Sequence, residues 1–227
     1  MNHYAYLIGD LFFLFVWLIL FFHRKDLRRE MLTMSLLITP LGVADAIYFK
    51  DYWRPVFTLN TGLHFGIESF IFAFSIGGIA SVIYDEVFGM KYVRARKSKR
   101  PKHFLITITL LSVVILILNS IIFRTNSIYI TSALMLLVGS TVTFMRHDLL
   151  KDALMSGLLT GLLMLIFYTC YFLIIFPSAI QNWWLLNNLS GIFVFGVPLE
   201  EILWGFCWGF IAGPIYEFTL GIKIARQ

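Results

Sequence analysis

Seven stretches of this chain are apolar over the length that crosses a lipid bilayer, and that requirement constrains the fold more than any short motif. A helix rises 1.5 Å per residue, so spanning the hydrocarbon takes about 20 apolar residues. The stretches 4–22, 31–49, 63–84, 104–123, 127–145, 153–176 and 190–218 qualify. Charged residues make up 14% of the chain, against roughly 25% in a soluble domain, and they are clumped between the apolar runs. Lipid offers no partners to backbone N–H and C=O groups, so the spans must be helical. The expected fold is an all-α membrane protein of seven transmembrane helices. Only Arg124, Thr125 and Asn126 separate the fourth and fifth spans, enough for a tight turn. Pro198 and Pro214 make the last one tilted, kinked or preceded by an interfacial stretch. No basic n-region or small-residue cleavage site accompanies the first span, which reads as a retained helix.

Basic residues orient the bundle. Loops 23–30, 85–103 and 146–152 carry four, seven and two, and the C-terminal tail two; the other side carries only Lys50, Arg54 and Arg124. The positive-inside bias puts the N-terminus outside and the C-terminus in the cytoplasm of a multi-pass cell-membrane protein. The basic runs Arg24–Arg29 and Lys91–Lys102 read as loops against anionic lipid, with no nucleic-acid partner. Tyr52, Trp53, Trp183 and Trp184 suit the outer headgroup layer. Cys170 and Cys207 lie in apolar segments and read as buried thiols.

An internal repeat is visible. GIESFIFAFSIGGIASVIYD at 66–85 aligns with PLEEILWGFCWGFIAGPIYE at 198–217, with seven of 20 positions identical. Glu68 faces Glu200, Gly77 faces Gly209 and Tyr84 faces Tyr216. Upstream, RKDLRRE at 24–30 parallels RHDLLKD at 146–152. Helices 1–3 therefore correspond to helices 5–7, with helix 4 restoring the direction so that the two three-helix repeats run parallel. The expected divisions are 1–90 for the first repeat, 91–126 for the basic loop and helix 4, and 127–227 for the second repeat.

Carboxylates inside a bilayer are costly and usually functional. Asp10, Asp45, Glu68, Glu200 and Glu201 fall within the spans, all in the outer half, with no lysine or arginine at their depth. Uncompensated burial favours the neutral, proton-carrying form, the state required of a general acid. Coming from helices 1, 2, 3 and 7, the five can converge on one cavity. His64, one turn before Glu68, can share its face, but no second intramembrane histidine completes a metal site. Asp85 and Glu217, at the cytoplasmic helix ends, read as structural. Phe70, Phe72, Phe74, Trp204, Phe206 and Trp208 follow the glutamates, with Phe72 and Phe74 matching Trp204 and Phe206. Their spacing by two spreads them over different faces; those that line a cavity can stabilise a cation through their π systems. Gly77, Gly78, Gly205, Gly209 and Gly213 permit close helix packing. P-loop, GxGxxG, HExxH and GxSxG patterns are absent, so no metal and no cofactor is expected, and the simplest chemistry moves only protons.

Pro198-Leu199-Glu200-Glu201 resembles the Pro-x-Glu-Glu motif of the lycopene cyclase domain, a three-helix membrane unit that occurs as two chains or fused in tandem. The first-repeat counterpart is Gly66-Ile67-Glu68-Ser69, without the proline or the second glutamate. Ile202 and Leu203 stand where the family has an aromatic pair, with Trp204 next; the first repeat keeps Phe70. The resemblance implies a redox-neutral cyclisation of a polyene end group. An acid protonates the terminal double bond, the cation closes a six-membered ring, and a base removes a neighbouring proton. It makes Glu68, Glu200 and Glu201 acid–base candidates, with Asp10 and Asp45 beside them. Phe72, Phe74, Trp204, Phe206, Trp208 and His64 are candidates for contact with an apolar polyene or isoprenoid substrate. The same scaffold also fits a non-catalytic polyprenoid or lipid binder, or a proton-coupled transporter or sensor. A single site is expected between the repeats, toward the outer leaflet.

Overall fold

The computed structural model describes residues 2–59, 61–93, 104–119, 122, 125–221 and 223–226. Six of the seven basic residues of loop 85–103 lie outside the described residues, as does Arg124. Helices α1 (Ala5–His23), α2 (Arg28–Ile38), α3 (Asp45–Asp51) and α4 (Ile67–Phe88) build the N-terminal part. Helices α5 (Phe104–Leu118), α6 (Ser127–Met145), α7 (Leu150–Tyr168), α8 (Ala179–Trp183) and α9 (Leu199–Leu220) follow. Among the described residues, five helical segments have the length and hydropathy to cross a membrane: Ala5–His23, Arg28–Asp51, Ile67–Phe88, Ser127–Met145 and His147–Ile175.

Several boundaries differ from the sequence reading for local reasons. The second span is continuous in length but not in helix type. It passes from α2 through a 3-10 turn at Thr39–Ala44, containing Pro40 and Gly42, into α3. The third begins at Ile67, not 63, because Gly62 takes a left-handed φ of +77°. The sixth continues beyond α7 as a π-helical run, Thr169–Ile175. Only residues from Leu199 onward are helical in the seventh; 190–198 form a loop and a short hairpin, β2 (Phe193–Val194) with β3 (Val197–Pro198). Cys207 is buried but Cys170 is exposed, so only one thiol sits in the interior.

Helices α4 and α9 form the centre. α4 packs against α1, α2, α7 and α9, and α9 packs against α6 and α7. Membrane helices are apolar all round, so size rather than polarity sorts their faces. On α7, Leu154, Leu158, Leu162 and Ile166 point outward, while Ser156, Gly157, Thr160, Gly161 and Met164 point in. A Cβ on Gly209 of α9 would meet the Ser156 carbonyl oxygen of α7; one on Gly78 of α4 would meet Trp17 and Ser35. Trp17 Nε1 donates to Ser35 Oγ at 2.9 Å over Gly78, tying α1 to α2.

Both central helices are clasped at each end. Their C-termini stop at Gly89 and Gly221, whose φ of +62° and +63° a side chain would resist. The strands that follow, β1 (Met90–Val93) and β4 (Lys223–Arg226), pair antiparallel. Arg24 and Arg146 sit at equivalent corners. Arg24 clamps Asp26 at 2.8 Å and donates to the Asp85 carbonyl at 3.0 Å. Arg146 clamps Asp148 at 2.7 Å and donates to the Glu217 carbonyl at 3.2 Å. At the opposite end, Arg54 N donates to Trp183 O at 2.6 Å and Leu185 N to Tyr52 O at 2.8 Å. The tryptophans placed in the headgroup layer are thus partly interior: Trp183 and Trp184 are buried with Tyr52, because this backbone pairing folds both loops over the bundle.

Candidate active site

Helices α1, α3, α4, α6, α7 and α9, the π-helical run after α7 and the turn after α3 contribute residues to one apolar cavity of about 60 Å³. Three carboxylates line it: Asp10 of α1, Asp45 at the start of α3 and Glu201 of α9. Among the described residues, no lysine or arginine lines it.

Glu201 owes its position to the way α9 begins. Gly196, with φ +80°, turns the β2–β3 hairpin. Pro198, fixed at φ −55°, then launches the helix. Glu200 and Glu201 fall in its first turn, where the helix dipole favours carboxylates. Successive helical residues point about 100° apart, so the two diverge. Glu201 enters the cavity, and its Oε1 accepts from Trp184 Nε1 at 2.5 Å and from the Tyr52 hydroxyl. Glu200 turns back to the preceding loop, where Oε1 accepts from Ser190 N and from Tyr129 OH, both at 2.7 Å.

Glu68 does for α4 what Glu200 does for α9. Its Oε1 accepts from Leu59 N at 2.6 Å, closing the loop before the helix. Ser69, the next residue, faces inward and donates to Asp45 Oδ2 at 2.5 Å. Tyr6 OH donates to the same oxygen at 2.9 Å. Asp10, one turn after Tyr6 on α1, is buried, and its Oδ2 has no hydrogen-bond partner. The structure therefore brings together Asp10, Asp45 and Glu201 in the cavity wall, whereas Glu68 and Glu200 each give one oxygen to a loop and keep the other, Oε2, buried without a hydrogen-bond partner among the described residues.

Aromatic rings form most of the remaining wall: Phe13, Phe72, Phe167, Tyr168, Phe172 and Trp204, with Tyr6, Tyr48, Tyr52 and Trp53. Phe13 lies 4.4 Å from Phe167 and 5.6 Å from Phe72, centroid to centroid. Trp204 stacks on Phe72 at 6.1 Å, and its Nε1 donates to Tyr48 OH at 3.2 Å. Of the anticipated substrate contacts, Phe72 and Trp204 are in the wall. Phe74 packs on Trp17, Phe206 stacks on Phe210, and Trp208 backs Trp204 from behind. His64 does not share a helix face with Glu68. It lies exposed in the loop before α4, its ring 4.5 Å from Phe49, because the turn at Gly62 keeps this stretch out of the helix.

The sequence reading missed the tyrosines and Trp184. Tyr6 and Asp10 are spaced i, i+4, so a shared helix face was a usable signal. Nothing comparable marks Tyr52 and Trp184, which reach Glu201 across 149 and 17 residues.

Several membrane-length apolar helices around a buried cavity of acids and aromatics make this a helical, membrane-type protein with an acid-lined pocket. Residues 126–219, from the turn before α6 to the last turn of α9, match the family model described as lycopene cyclase. The matched residues include Glu200, Glu201 and Trp204 but neither Asp10 nor Asp45. No curated protein and no solved structure matches.

Proposed function

We propose that this protein is an intramembrane cyclase acting on the end group of a carotenoid or related polyene. The observation that carries this reading is the meeting of Asp10, Asp45 and Glu201 in one aromatic-lined cavity. The lycopene cyclase match over residues 126–219 supports cyclisation as the chemistry. Cyclisation adds a proton at one carbon of the end group and removes one from a neighbouring carbon. The product is an isomer of the substrate, and acid and base suffice.

Asp10 is the proposed acid. No donor reaches its Oδ2, so a proton there remains available to a double bond instead of being tied to a neighbouring oxygen. Glu201 and Asp45 each accept from two side-chain donors. Such donors orient a carboxylate and favour its anionic form, which suits the base and the counter-charge to the ring cation. Phe13, Phe72, Phe167 and Trp204 shield that cation. A cavity of about 60 Å³ is smaller than the roughly 150 Å³ that holds a benzene. Substrate entry therefore requires the lining rings to part.

We further propose that the chain is a parallel duplication of seven spans, with the N-terminus outside. Supporting this are the equal 22-residue lengths of α4 and α9, the like corners at Arg24 and Arg146, and the shared loop-holding role of Glu68 and Glu200. In that register Ser69 stands where Glu201 does, so the first copy reaches the cavity through Asp45.

Expression in a lycopene-accumulating host, with pigments separated chromatographically, tests the function. A cyclised isomer is expected. Unchanged lycopene despite good membrane expression would overturn cyclisation of that substrate, and a co-purifying polyene that is never turned over would favour a binding protein.

A further inference from the structure

A second group of acids lies at the far end of the bundle from the cavity, and the proposed reaction does not use it. Glu30 in the first turn of α2, Asp85 in the last turn of α4 and Glu217 in the last turn of α9 place carboxylate oxygens within 4.8 Å of one another. All three side chains are buried, with relative exposures of 1%, 3% and 1%. Among the described residues, Asp85 Oδ1 and Glu217 Oε2 have no hydrogen-bond partner. Asp152 of α7, also buried, stands in electrostatic range of Asp85 and Glu217 and accepts from Ser156 Oγ at 3.0 Å. Arg24 and Arg146 donate to the backbone carbonyls of Asp85 and Glu217, leaving those carboxylate oxygens unmet.

Asp85 and Glu217 each sit at the negative end of a helix, where a bound cation is favoured. Asp85 and Glu217 each bring a buried, unmet carboxylate oxygen to the point where Glu30 also offers one, and a cation there would compensate them. We propose that this cluster binds a divalent cation that pins α2, α4 and α9 together. All-oxygen donors select a hard ion. Carboxylate oxygens within 4.8 Å of one another suit the flexible shell of calcium, at about 2.3–2.6 Å, better than the near-ideal octahedron that magnesium demands at about 2.1 Å.

The test uses the full chain purified in detergent. After EDTA treatment, calcium, magnesium or manganese is restored, and metal content and Tm are measured. The expected result is about one ion per chain, with calcium raising Tm above the EDTA value. Glu217→Gln and Asp85→Asn should weaken calcium binding at least about tenfold, since losing even an outer partner of a metal ligand costs that much. A Tm unchanged by all three ions, with no metal retained, overturns the proposal; so does wild-type affinity in folded variants. If neither variant folds, the wild-type comparison decides alone. Neither readout depends on turnover.

Discussion

Two adjacent glutamates of one motif have different jobs here. Glu201 lines the cavity, while Glu200 holds the loop at Ser190. Glu201→Gln keeps the shape and removes the exchangeable charge. It should lower cyclised product about 10²-fold or more at equal membrane expression, within the usual range for a lost acid or base. Asp10→Asn should do the same, and chromatography of the pigments checks both. Glu68→Gln is expected to behave otherwise. It weakens the bond to Leu59 N and should destabilise the fold by about 1–3 kcal/mol, while turnover per folded molecule stays within severalfold of wild type. A Glu68→Gln protein that is fully stable but inactive would return Glu68 to the catalytic set. Both motif glutamates are legible in the sequence, but which one faces inward is not, because a 100° step along the helix leaves no mark in composition.

Among the helices, glycine placement sets how closely neighbours approach. Gly209→Ala puts a methyl group 2.3 Å from a backbone oxygen of α7, which cannot swing aside as a flexible side-chain end would. A loss of at least about 1–3 kcal/mol is expected, read as a lower Tm in detergent. Gly62→Ala, facing open space in a left-handed turn, should cost less. The corner between α1 and α2 carries the pH dependence that can be signed. The Arg24 guanidinium, hydrogen-bonded to Asp26, holds that carboxyl below its ordinary value. A lowered folded-state value means the pair stabilises above the unfolded carboxylate range and is lost as pH falls through the folded value. Asp26→Asn should flatten the acid-side decline in Tm slightly, since Asp26 is exposed and screened.

For the molecule as a whole, the cavity belongs to neither part of the chain alone. Asp10 and Asp45 come from the N-terminal helices and Glu201 from α9. Fragments 1–98 and 99–227, expressed separately, should give no cyclised product, and co-expression should restore it, as the resemblance to two-chain cyclases implies. Activity in either fragment alone would place the site elsewhere. Orientation is tested by reporters fused beyond Gln227, which should be active only on the cytoplasmic side.

Apolar runs of bilayer length, the clumping of basic residues and the recurrence of glutamate, glycine and tyrosine at a fixed offset are properties of the one-dimensional string. They sufficed for a helical membrane protein, for its candidate acids and for its likeness to the lycopene cyclases. The assembly of Asp10, Asp45 and Glu201, the tyrosines around them and the grouping of Glu30, Asp85 and Glu217 depended on tertiary packing. The physical reason is the solvent. In lipid the outer and inner faces of a helix are both apolar, so hydrophobic periodicity does not report orientation. Only side-chain size and close packing around glycine decide which acid turns inward.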